Sequence, residues 1–132
     1  MKTRREFMQC TAVAAGAVVL APLAAKARDF SMDKGILYNA KQAGMWRDVV
    51  KLHVPVVDVK GLDVVVTTPH SMSKEHYIVR HTIVDEMGNV AHAKTFMPTD
   101  TPISKAMLKK KGKYVATSFC NLHDMWVKEF TV

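Results

Sequence analysis

Glu75–Asp85 reads Glu-His-Tyr-Ile-Val-Arg-His-Thr-Ile-Val-Asp, and Val90–Met97 reads Val-Ala-His-Ala-Lys-Thr-Phe-Met. Met87-Gly88-Asn89 stands between them. Both flanks are dense in β-branched and aromatic residues, and the middle carries a glycine and an asparagine, the residues that accept positive φ in tight turns. The pair predicts a β-hairpin. Working toward the N-terminus, Leu62–Thr68 (Leu-Asp-Val-Val-Val-Thr-Thr) reads as another strand. Gly61 turns it from the β-branched run Val54–Val59, so the chain reads as β-structure from Lys51 onward. Toward the C-terminus, Pro98–Pro102 is a loop. Lys113–Phe119 and Met125–Val132 are two further strands joined through Cys120–Asp124. A short helical turn is expected near Ala40–Arg47. Short strands separated by turn signals predict an all-β fold, and at this size an immunoglobulin-like antiparallel β-sandwich.

The chain has 132 residues, 48% apolar and 23% charged, which suits one globular domain and excludes a largely disordered chain. No apolar run is long enough for a free-standing span, so an integral membrane protein is not expected. The net charge is +7. Much of it lies at the start, where Lys2, Arg4 and Arg5 precede Phe7 and a small-residue stretch, Thr11 to Ala25, ends in Ala25-Lys26-Ala27. A charged start, a short apolar middle and an A-x-A end describe an export signal over residues 1–27. The paired arginines before an aromatic resemble the twin-arginine type, which predicts a periplasmic protein whose working domain is residues 28–132. That domain is only mildly basic and has no basic helix or interleaved aromatics, so nucleic acid is not an expected partner.

Removing the signal takes Cys10 with it and leaves Cys120 as a single exported thiol. Such a thiol is a liability unless buried, paired between chains or bound to metal. His53, His70, His76 and His123 fall at expected strand ends or in loops, as Cys120 does, and side chains at one end of a sandwich can converge. Cys120-Asn121-Leu122-His123 offers a thiolate and an imidazole three residues apart. His70 and His76 flank a five-residue loop that can grip an ion from two sides. His81 stands five residues after His76, which in a regular strand puts it on the other face, and His92 lies inside the hairpin partner. Both read as surface or half-buried histidines outside the site. The bland alternative for the rest is a set of satisfied strand-end histidines beside a buried cysteine. If they do bind one metal, five N and S donors exceed the closed four-ligand shell of structural zinc, and they suggest redox-active iron with one open face.

His70-x-Met-x-x-Glu-His76-Tyr-Ile, Cys120-Asn-Leu-His123-x-x-Trp126 and His53-Val-Pro55 together resemble the superoxide reductase family of neelaredoxin and desulfoferrodoxin. Lys109-Lys-Lys-Gly-Lys113-Tyr, leading to Cys120, is similar to the segment before that family's cysteine. The resemblance runs from about Met45 to Val132 and is to the one-iron form. It implies one mononuclear Fe(2+)/Fe(3+) per chain, with His53, His70, His76 and His123 equatorial and Cys120 axial. It further implies reduction of superoxide to hydrogen peroxide by one electron from an external donor protein, in what is often a homo-oligomer. The family usually has Glu-Lys before the first histidine, and here Lys51 and Leu52 take those places. Lys51 is thus the candidate catalytic lysine for drawing in the anion, with Lys74 and the Lys109–Lys113 cluster as further positive charge. Ser71 stands for the usual proline after His70, and Asp124 for a frequent glycine. Loss of the Glu-Lys pair keeps a second reading open, an exported iron protein for electron transfer or redox sensing. A third is a metal-free immunoglobulin-like interaction module.

Overall fold

A computed structural model describes residues 35–132. The export signal expected over residues 1–27 lies outside the described residues. The chain runs β1 (Leu37–Tyr38), a 3-10 helix (Gly44–Val49), α1 (Val50–His53), β2 (Val56–Lys60), β3 (Asp63–Thr67), β4 (Ile78–Asp85), β5 (Val90–Thr95), β6 (Ile103–Met107), β7 (Lys113–Cys120) and β8 (Asp124–Thr131). Two sheets form, one ordered β1-β8-β7-β4-β5 and the other β2-β3-β6. This is the expected all-β sandwich. Every pairing is antiparallel except that of β1 with β8, where Leu37 and Tyr38 run parallel to Met125 and Trp126.

The β4–β5 hairpin forms as predicted, with Gly88 at φ 84° in its turn. Alternation along β3 and β7 sends Val64, Val66, Tyr114 and Ala116 inward, where they pack with Ile83 and Leu108. A smaller apolar cluster of Ile78, Phe96 and Cys120 sits at the other end of β4 and β7, with Met72 against it. Trp126, fully buried, stacks at a tilt on Tyr38 with ring centroids 5.5 Å apart.

The structure departs from the sequence reading in four places. The chain is not β-structure from Lys51: Val50–His53 closes one helical turn, with Val54 N–H donating to Val50 O at 3.0 Å, and the strand starts only after Pro55. Proline disfavours helix in the residue before it, and Val54 is extended, at ψ 123°. The helical turn itself falls at 44–53 rather than near 40–47. Strand β6 had no signal, because Ser104 and Ala106 face inward while Met107 is 77% exposed, the reverse of the usual pattern. Finally, counting parity from His76 to His81 fails. His76 precedes β4, and a β-bulge between Ile78 and Arg80 lets Ile78 and His81, three residues apart, both turn fully inward.

Candidate metal centre

Three separate pieces of chain bring the predicted residues together. His53 ends α1 and is 1% exposed. Its Nδ1–H donates to Val49 O at 2.8 Å, the helical i−4 carbonyl, which leaves the lone pair on Nε2; that atom is buried and has no hydrogen-bond partner. An orphaned buried nitrogen with its opposite nitrogen committed to a carbonyl is the arrangement of a metal-binding imidazole.

His70 and His76 stand on the loop from β3 to β4. Ser73 folds that loop back, since its N–H donates to His76 O at 2.9 Å and its hydroxyl accepts from His76 N–H at 3.1 Å. Asn121, between Cys120 and His123, then fastens the loop to the β7–β8 turn. Its side chain accepts from Tyr77 N–H at 3.0 Å and donates to Glu75 O at 2.9 Å. His123 is braced from below by Trp126, whose Nε1–H donates to His123 O at 2.8 Å. Trp46 packs edge-on to the His123 ring with centroids 4.7 Å apart.

The four imidazoles form a square. Going round it, ring centroids are 4.6 Å apart for His53–His70, 4.3 Å for His70–His76, 4.7 Å for His76–His123 and 4.6 Å for His123–His53. The diagonal His53–His76 is 5.9 Å. His76 Nε2 lies 2.9 Å from His70 Nε2 and 3.0 Å from His123 Nδ1. Two nitrogens bound at right angles about 2.1 Å from one metal ion would be about 3.0 Å apart. The sulfur of Cys120 is 3.6 Å from His123 Nδ1 and 3.9 Å from His70 Nε2, and all five donor atoms lie within 4.8 Å of one another. Cys120 is fully buried whereas His76 and His123 are partly exposed, so solvent reaches the cluster from the His76 and His123 side rather than from the sulfur.

Burial favours the neutral, lone-pair-donating form of His53, His70 and His76. It lowers the pKa of His53 and His76, and it lowers that of His70 to about 4, with the neighbouring histidines adding to the effect in each case. Burial pushes the Cys120 thiol up, against backbone N–H groups of Leu122 and His123 that favour the thiolate. A cation in the square would reverse that balance. The five residues therefore fit a single divalent or trivalent metal.

The matches to known proteins follow the same residues. The family model described as desulfoferrodoxin matches residues 45–129, which hold all five donors. The chain belongs to the desulfoferrodoxin family. A desulfoferrodoxin from Nitratidesulfovibrio vulgaris is 34% identical over 80 residues, covering 58% of this chain and 61% of that protein. The chain thus spans about three fifths of the length of that curated relative. Among solved structures, a variant of the superoxide reductase (neelaredoxin) from Ignicoccus hospitalis superposes with a TM-score of 0.62 at 23% identity, covering 73% of this chain and 92% of that one. The superoxide reductase from Treponema pallidum gives 0.53 at 28% identity, covering 62% and 69%. The desulfoferrodoxin fold and a grouped set of histidines and a cysteine able to hold a metal are therefore properties of this chain.

His81 and His92 stay outside the cluster, as expected, although His81 is fully buried rather than superficial. Lys51 is exposed on α1, two residues before His53. Positions two apart on a helix point about 200° away from each other. Lys74 is exposed on the loop between His70 and His76. The Lys109–Lys113 cluster leads into the opposite end of β7 from Cys120, roughly 23 Å away at about 3.3 Å per residue, too far to guide a ligand to the square. Sequence reading missed Asn121, Trp46 and the Val49 carbonyl. Of these only Asn121 carried a signal, its place inside Cys-x-x-His.

Proposed function

We propose that this protein is a superoxide reductase built on one mononuclear iron held by His53, His70, His76, His123 and Cys120. The observation that carries the proposal is the square of four imidazoles with one buried sulfur beneath it. Five N and S donors exceed a structural zinc shell, and one accessible side suits a small anion. Iron bound there supplies the one-electron couple by which superoxide, one electron from an external donor protein and two protons become hydrogen peroxide.

The chain's own residues do the rest. His53 and His70 offer neutral lone pairs, fixed in place by burial and, for His53, by the Val49 carbonyl. Cys120 presents sulfur to the closed side, where Ile78 and Phe96 exclude water and the N–H groups of Leu122 and His123 stabilise negative charge. Lys74 and Lys51 put positive potential on the outer surface. Lys51 acts at a distance through its charge, since its helical position turns it from His53. The Arg4-Arg5-x-Phe7 pattern supports export by the twin-arginine route to the periplasm, a path that carries folded and already loaded protein. Replacing Arg4 and Arg5 by lysine is expected to retain the protein in the cytoplasm.

The deciding experiment is metal analysis and the visible spectrum of untagged protein, followed by rapid mixing with superoxide. Stoichiometric iron, a thiolate-to-iron charge-transfer band and near diffusion-limited oxidation of the ferrous form are expected. A loaded protein that reacts slowly would instead be an electron carrier or redox sensor. Protein that takes up no iron would be an interaction module.

A further inference from the structure

The interior of the sandwich is interrupted by a polar layer. Inward side chains along β7 run Ala116, Ser118, Cys120, and along β4 they run Ile83, His81, Ile78. Ala116 and Ile83 belong to the main apolar cluster, Cys120 and Ile78 to the small one beside the metal centre. Ser118 and His81, directly opposite each other in the β7–β4 ladder, separate the two. Thr68 and Ser104 reach them from the facing sheet, and all four side chains are 1% exposed or less.

These groups are joined. Thr68 Oγ1 lies 2.8 Å from His81 Nε2 and 2.7 Å from Ser118 Oγ, and Ser104 Oγ lies 3.0 Å from His81 Nδ1. A neutral imidazole has one donor and one acceptor nitrogen, so either tautomer satisfies both hydroxyl contacts. The bonds cross from one sheet to the other. Apolar side chains of similar volume could fill this layer without the desolvation cost of burying hydroxyls. Hydrogen bonds, unlike apolar packing, fix direction and register, and a fully satisfied buried network is rigid.

The layer adjoins the ligands on both sides. Thr68 O accepts from His70 N–H at 2.8 Å, and Thr68 N–H donates to Pro102 O at 3.1 Å, so Thr68 holds the backbone of His70. Ser118 precedes Cys120 by two residues on the same face of β7. The spacing between His70 and Cys120 is therefore a spacing between sheets, set one layer below them.

We propose that Thr68, His81, Ser104 and Ser118 form a clamp between the sheets that positions His70 against Cys120 and so tunes the metal site. The clamp rests on the reading of the five residues as metal ligands. It is tested by titrating cobalt(II) into the metal-free full chain for wild type, Thr68→Val, Thr68→Ser and Ser118→Ala. Thr68→Val keeps shape and removes the hydroxyl; it is expected to weaken cobalt binding about 10- to 100-fold, the range for residues supporting a ligand. It should also shift the thiolate-to-cobalt band, and Thr68→Ser should restore both. A lowered melting temperature with affinity and band unchanged would overturn the clamp and leave a merely structural network. If Thr68→Val does not fold, Ser118→Ala decides by the same two readouts. Wild-type protein that binds no cobalt would sink the metal reading, and the clamp with it.

Discussion

Trp46 Nε1–H donates to Asp124 Oδ2 at 2.9 Å, joining residues 78 apart in the chain. Asp124 sits at φ 65°, the one non-glycine residue with positive φ among the described residues. Its left-handed backbone shapes the turn that presents His123, and its carboxylate holds the indole that packs against His123. One residue thus carries a backbone strain and a tether together. Asp124→Ala loses the tether and puts a residue less tolerant of the left-handed backbone at this position, so a loss of about 1–2 kcal/mol is expected in urea unfolding. Asp124→Asn tolerates the same conformation and retains an acceptor, and should stay near wild type. An alanine variant as stable as wild type would show that neither matters.

His81 gives the fold an acid-sensitive element. Burial, with Lys94 and His92 nearby, lowers its pKa from 6.5 to about 4. A group with a depressed folded pKa contributes full stability above its unfolded value and loses it as pH falls toward the folded one. Stability should therefore decline between about pH 6.5 and pH 4, by about 3 kcal/mol from this residue. Metal-free His81→Gln should show a shallower decline between pH 7 and pH 4.5 in urea midpoints. Parallel declines in the two proteins would remove His81 from the explanation.

Metal capture must deprotonate Cys120, whose thiol is raised by burial, whereas His70 is already neutral. Binding at pH 7 should release about one proton from the sulfur, and affinity should rise with pH. Calorimetry in buffers of different ionisation enthalpy measures that proton directly. Cys120→Ser should abolish the thiolate-to-metal band; its survival would show that sulfur is not a ligand.

Charge reversal at Lys74 or Lys51 should slow oxidation of the ferrous protein by superoxide several-fold at low salt. It should also flatten the dependence on ionic strength, because steering is screened within about 10 Å at 0.1 M salt. Lys74, inside the ligand loop, should have the larger effect. Reversal at Lys110, at the far end of β7, should leave the rate unchanged.

The five residues that the structure gathers were legible in the sequence, because Cys-x-x-His, the paired histidines and His53-Val-Pro55 are local patterns. The hairpin was equally legible from Gly88 and its β-branched flanks. What stayed hidden depends on contacts far apart in sequence. The bulge at the start of β4 reverses the parity of everything after it and leaves no mark in composition. Strand β6 buries a serine and exposes a methionine, since Ser104 answers His81 in the opposite sheet. The helical turn before His53 is ended by Pro55 and held by tertiary packing, and its residues mix helix formers, Lys51 and Leu52, with the weaker Val50 and His53, so local preference does not decide it.

The five donor residues enter the square from points up to about 70 residues apart, the span from His53 to His123. An ion bound there would be a crosslink as well as a reaction centre, shortening the loose chain in the way a disulfide does. Dissociation of that ion would then gate global unfolding. Loaded protein should be long-lived under denaturing stress for kinetic reasons, and heating and cooling traces should show hysteresis that a chelator erases.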